Sequence, residues 1–219
     1  FMKDVRPETD AERRAIAALP PVEDELKAEF QIAASESGGS VIDAVMRPAL
    51  NVRGISAGKV GAEATNAIPV DAEVSIDFRL VPDQKPAAIR ADVEAFLRST
   101  GWTIVSDTPN VATRRAHPKI IKLDWETGYA ALRSDMSTPV ARAVIAAATR
   151  ASDQPVAVVP TLGGSVPLYV FDDIFHTPLV GLPVSNHDDN QHAANENIRL
   201  QNVWDGIDAY AAMLGELNW

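Results

Sequence analysis

The chain contains no cysteine. That excludes a disulfide framework, a thiolate metal site and a thiol nucleophile, so any metal must be held by histidine, aspartate or glutamate. Positive charge is scarce: 20 lysines and arginines face 30 aspartates and glutamates, for a formal net charge of −10. A nucleic acid or an anionic membrane would need a basic footprint that this composition does not offer. No apolar run approaches the length needed to cross a bilayer, and no signal-peptide pattern opens the chain. The compartment therefore stays open, with the cytoplasm favoured. Internal repeats and low-complexity segments are also missing. What remains is a 219-residue chain with 46% hydrophobic content, enough for one large or two small globular domains with a real core.

Local signals divide the chain. Thr9-Asp10-Ala11-Glu12 is a capping box that starts a short helix carrying Ile16 and Leu19, which Pro20-Pro21 ends. Val22, Leu26, Phe30 and Ala33 then recur at helical spacing. The opening Phe1-Met2-Lys3-Asp4-Val5 reads as strand-like, and Leu50-Asn51-Val52 as one short strand in an irregular stretch. From Ala72 to Leu80 the alternation is strict, with Ala72, Val74, Ile76, Phe78 and Leu80 on one side and Glu73, Ser75, Asp77 and Arg79 on the other: a half-buried strand. Asp83 is expected to cap a helix with Pro86 in its first turn and Ile89, Val93, Phe96 and Leu97 on its inner face, followed by a strand at Trp102–Val105 and another near Lys119–Leu123. These elements suit a two-layer α+β domain with helices on one face of an antiparallel sheet. A boundary near Gly128 separates 1–128 from 129–219. Beyond it, Ser137-Thr138-Pro139 starts an alanine-rich helix suited to packing on a sheet. Val156–Val159 and Pro178–Leu182 read as buried parallel strands, and a last helix carries Leu200, Val203, Ile207, Tyr210, Ala211 and Leu214 on one side.

Chemistry concentrates near the end. His192 sits in a polar, turn-rich loop, Asn186-His187-Asp188-Asp189-Asn190-Gln191, between an apolar run and an amphipathic helix. A loop has no core to fill, so its imidazole is free to bind a metal or move a proton. Gly163-Gly164-Ser165 lies shortly upstream, where glycine lets a backbone approach a ligand closely. The order Gly163-Gly164-Ser165-Val166-Pro167, Leu179-Val180-Gly181, His192-Ala193-Ala194-Asn195-Glu196 closely resembles the end of the catalytic domain of the dinuclear zinc M-twenty metallopeptidases. That family includes carnosinases, aminoacylases, succinyl-diaminopimelate desuccinylases and glutamate carboxypeptidases. Asn66-Ala67-Ile68-Pro69 with Ile76-Asp77-Phe78-Arg79-Leu80-Val81-Pro82 resembles the family's lid domain.

The resemblance implies a partial ferredoxin-like lid and dimerisation domain over 1–128, lacking its first strand and helix, followed over 129–219 by the C-terminal part of a zinc-peptidase α/β sandwich. It implies His192 as a metal ligand, with Asn195 and Glu196 shaping the loop, and Gly164, Ser165, Asn66 and Arg79 as substrate contacts. Asp188, Asp189 and Glu196 are the acceptors within sequence reach of the His192 ring. The implied cofactor is a pair of zinc ions, with manganese or cobalt as alternatives. The implied substrates are small peptides or N-acyl amino acids, and the implied assembly is a homodimer through the lid, without nucleic acid or membrane. His117, His176 and His187 have no motif support.

The family's upstream metal set includes a Glu-Glu pair that supplies the general base, and no adjacent Glu-Glu occurs in this chain. The chain is therefore expected to be the latter part of an enzyme that works with the N-terminal half of the same protein, and to be inactive alone. The alternative is a non-catalytic dimerisation or ligand-binding module. A serine hydrolase built on Ser165 ranks third, because Gly163-Gly164-Ser165-Val166-Pro167 does not complete a Gly-x-Ser-x-Gly elbow around that serine.

Overall fold

The computed structural model describes residues 1–36, 39–126, 128–164 and 166–217. The fold is mixed α/β with small sheets, and the chain divides into two compact units. The first comprises Phe1–Pro7 and Met46–Ala131, the second Glu8–Val45 and Leu132–Trp219. Residues 8–45, which the sequence groups with the lid, thus lie in the second unit. No helix among the described residues is long and apolar enough to cross a membrane.

In the first unit β1 (Ala49–Ser56) pairs antiparallel with β2 (Glu73–Arg79), so the short strand expected at 50–52 is longer and the alternating stretch is a strand as expected. The register shifts between Val52 and Gly54, making Arg53 the extra residue of a bulge. With it, Leu50, Val52 and Ile55 stand opposite Phe78, Ile76 and Val74. Because side chains alternate, Ile55 would otherwise fall on the polar face with Asn51. The apolar face stays largely open to solvent, with Ile55 75% exposed, which corrects the half-buried expectation.

A helix, α4 (Pro86–Ser99), follows as expected, but its N-cap is Lys85. Asp83 instead has a positive φ and takes two hydrogen bonds from the Arg6 guanidinium, 3.0 and 3.2 Å. The opening residues form a turn, not a strand, and are tied down by that pair and by the buried Gln84 amide, which donates to the Phe1 carbonyl at 2.6 Å. Ile89 is buried beneath α4, while Phe96 is exposed, against expectation. Phe1, Phe78 and Trp125 form an aromatic chain with ring centroids about 6 Å apart, capped by the Arg90 guanidinium over Trp125.

The strands β3 (Thr103–Val105) and β4 (Ile120–Lys122) form a separate parallel pair, not part of one antiparallel sheet. Parallel neighbours need a crossover of a dozen or more residues, and the segment between them supplies it with α5 (Val111–Ala116), which Asn110 caps through the Thr113 amide.

The second unit is helical among its described residues: α1 (Asp10–Ala17), α2 (Glu23–Glu29), α3 (Val41–Val45), α6 (Pro139–Ala151), α7 (Tyr169–Phe175) and α8 (Leu200–Glu216). Both halves of the capping box form at α1, and Thr138 caps α6 as its sequence suggests. The expected strands at 156–159 and 178–182 do not form among the described residues, since a strand is defined by a neighbour that takes its N–H and C=O groups. In consequence α6 packs on α8 instead of on a sheet, burying Ala141, Ala147 and Ala148. The face of α8 read as its core side is open, with Leu200 73% and Leu214 77% exposed. Gly206 is the buried position: a Cβ there would stand 2.5 Å from a Val184 methyl.

A buried ion pair joins the two segments of this unit. Glu12 Oε2 accepts from the Thr9 amide at 2.6 Å, while Arg133 Nε stands 3.0 Å from Glu12 Oε1, with both side chains almost fully enclosed. Removing one partner of such a pair strands a buried charge. Arg133→Met should therefore lower stability by about 3–5 kcal/mol, and adding Glu12→Gln, which keeps the capping acceptor, should recover much of it. Urea unfolding measures both; an unchanged midpoint in the single variant would show that the pair carries no weight.

Candidate functional site

The loop from Asn186 to Arg199 is closed at its stem by one side chain. Asn186 is only 6% exposed, and its amide uses both ends: Oδ1 accepts from the Arg199 backbone amide at 3.0 Å, and Nδ2 donates to Asp188 Oδ1 at 2.7 Å. Asp188 also takes the Arg199 guanidinium at 2.6 Å. Asp189 Oδ1 accepts from the Gln191 amide at 3.0 Å, and its carbonyl accepts from the Asn197 amide at 2.8 Å. A turn follows in which the Ala193 amide donates to the Asn190 carbonyl.

His192 lies at the crest of this turn with φ +64°, and Asn190 and Asn195 are also left-handed. Asparagine and histidine tolerate that region better than most residues, though each such conformation costs on the order of 1 kcal/mol and persists only where surrounding bonds impose it. Here Glu196 reaches back to accept from the His192 amide at 3.3 Å. No side chain among the described residues bonds the His192 ring. His187 is drawn away to Glu29, 3.1 Å from its Nε2, so His187 and Asp189 do not converge on one point.

No group of three or more His, Asp or Glu residues stands ready to hold a metal among the described residues. His192 offers one donor, while the nearby carboxylates are engaged by the loop itself. This donor set does not by itself fit a zinc site, which needs three or four ligands.

The residues expected to contact substrate fall in both units. Gly163 and Gly164 belong to the second, and Ser165 lies outside the described residues. Neither glycine has a positive φ; the reason for glycine at 163 is space, since a Cβ there would stand 3.0 Å from Val45 Cγ1, whereas Gly164 faces open space. Asn66 and Arg79 belong to the first unit. Asn66 is exposed in the connection between β1 and β2, where Pro69 packs against Gly58 just beyond the end of β1. Arg79 ends β2 at the opposite end, about 20 Å of strand away. Its Nε donates to Asp77 Oδ2 at 2.5 Å on the same strand face, so a substrate carboxylate there would compete with Asp77. The residues that sequence reasoning missed are Asn186 and Val45. A buried asparagine that closes a loop has no sequence signature beyond its place at the loop's start.

The amide of Asn186 and, to a lesser degree, the charges of Arg199 and His187 hold the Asp188 carboxyl below its usual range. A carboxylate whose folded pKa is depressed contributes stability that is fully present above its unfolded value, about 3.9, and is lost as pH falls through the folded value. Asp188→Asn should accordingly lower stability at neutral pH and flatten the acid limb of the profile, the two proteins converging as pH falls below about 4. Urea midpoints of the two proteins across pH 2–5 check this.

Residues 6–101 match the model of the M20 peptidase dimerisation domain. The chain is 29% identical over 144 residues to a probable di- and tripeptidase of Saccharomyces cerevisiae, DUG2, covering 64% of this chain and 15% of that protein. Among solved structures it resembles the M20 family metallo-carboxypeptidase Sso-CP2 from Sulfolobus solfataricus (TM-score 0.76, 21% identity, 99% of this chain and 47% of that one). It also resembles human carnosine dipeptidase 1 (TM-score 0.69, 20% identity, 97% and 44%) and the di-peptidase Dug1p of Saccharomyces cerevisiae (TM-score 0.66, 20% identity, 97% and 43%). The chain thus spans less than half the length of each of these relatives.

Proposed function

We propose that the chain, whose residues 6–101 match the M20 peptidase dimerisation domain, is part of a metal-dependent dipeptidase or amidohydrolase that cleaves dipeptides or N-acyl amino acids. The observation that carries this reading is the His192 loop: an exposed imidazole at a left-handed position, fixed by a loop whose stem is a buried asparagine. Such conformations persist where function repays their strain.

In this reading a divalent ion, zinc first, with manganese or cobalt as alternatives, supplies the activation of water for attack on the amide carbonyl. His192 is one ligand, and the remaining donors and the general base come from elsewhere in the gene product. Gly164 and Ser165 contact the substrate near its carbonyl or carboxylate. Arg79 offers a planar, two-pronged partner for a free carboxylate once Asp77 is displaced, with Asn66 as a further contact. The second unit's surface supports a larger assembly. Its last helix carries the exposed Leu200, Ile207 and Leu214 in addition to the side that packs on α6, and apolar faces of this kind are normally buried. The two-stranded β1–β2 sheet keeps unpaired edges among the described residues, which suits a homodimer through the first unit.

The test is His192→Ala in the complete gene product, assayed against unblocked dipeptides and N-acetyl amino acids with zinc, manganese or cobalt supplied. Hydrolysis should be abolished while the circular dichroism spectrum and melt stay those of the parent. Full activity after metal repletion would remove His192 from the site. Hydrolysis by the 219-residue chain alone that survives a chelator would overturn the metallopeptidase reading.

A further inference from the structure

We infer that Val45 is the positioning residue of the Gly163–Gly164 turn. The inference rests on the peptidase reading above, since it takes this turn as a substrate contact. The two glycines differ in their surroundings. At Gly163 the backbone comes so near Val45 Cγ1 that a methyl group would stand 3.0 Å from it; at Gly164 a methyl would meet nothing within 4 Å. One glycine is therefore shaped by packing, and the other leaves the turn's open side free for a ligand. Val45 suits the packing role because a β-branched side chain holds a narrow χ1 range and presents a stiff surface. It is the last residue of α3, a short helix whose start is fixed by Ser40: its hydroxyl accepts from the Ile42 amide at 3.2 Å and its carbonyl from the Ala44 amide at 3.1 Å. Val45 is also the last residue of its segment in the second unit. The chain passes to the first unit at Met46, and β1 begins at Ala49.

Val45→Ala removes the contact from one side, Gly163→Ala overfills it from the other, and the double variant trades one methyl for another. In the complete gene product, each single variant should raise KM for unblocked dipeptides by about three- to tenfold with kcat little changed, and the double variant should return to within about twofold of the parent. Thermal melts of the same four proteins read the contact without catalysis. Coupled changes in both melt and KM support the proposal. Coupling in the melt with additive effects on KM would mean that the contact is structural only, and would overturn it, as would the absence of coupling in either. If Gly163→Ala does not fold, recovery of both folding and KM in the double variant, against an impaired Val45→Ala, serves the same purpose. No hydrolysis by the unsubstituted protein would sink the peptidase reading and this proposal with it; normal hydrolysis with a normal KM in all variants would sink this proposal alone.

Discussion

The second unit depends on Glu12, whose carboxylate is divided between two tasks. One oxygen closes the capping box of α1 on the Thr9 amide, and the other meets the buried Arg133 guanidinium. A local signal and a long-range contact thus share one side chain, so the helix start and the return of the chain at Leu132 are set together. The neighbouring fixings have the same character. Ser134, next to Arg133, takes the Leu179 amide on its hydroxyl at 2.8 Å, and Val45 seats against Gly163. Where no ladder of strands orders the described residues of this unit, single side-chain contacts place its loops. Each such contact therefore carries more than the usual share of specificity, because a unit without a sheet cannot correct a misplaced loop through register.

Sequence reasoning succeeded where the deciding physics is local. The capping box at Thr9, the Thr138 cap before Pro139, the alternating stretch that becomes β2 and the helix from Pro86 all depend on a few adjacent residues, and all form. It failed where a partner decides. Val156–Val159 and Pro178–Leu182 carry the apolar composition of buried strands, but composition supplies no neighbour to bond their backbones. Residues 8–45 lie in the second unit, where Glu12 meets Arg133, a pairing no local window contains. For α8 the period was right and the face wrong: small residues such as Gly206 attract less weight than Leu200 or Leu214, yet close approach favours the small side. Asp83 failed as a cap because a bidentate arginine is a stronger partner than a first-turn amide.

The candidate loop could be picked out in the sequence, but its wiring could not. The motif from His192 to Glu196 located the loop, and three carboxylates within sequence reach made an oriented imidazole look self-contained. In the structure each carboxylate has another use: Asp188 serves Asn186 and Arg199, Asp189 serves the Gln191 amide, and Glu196 serves the His192 backbone. The loop spends its acids on holding its own backbone, which is what a left-handed crest at His192 demands. Its ring is left without an acceptor among the described residues, although a metal-bound imidazole ordinarily has its second nitrogen fixed by one. Placement and tuning are therefore separate functions here. Asn186 and Glu196 decide where the imidazole stands, while no side chain among the described residues holds its ring.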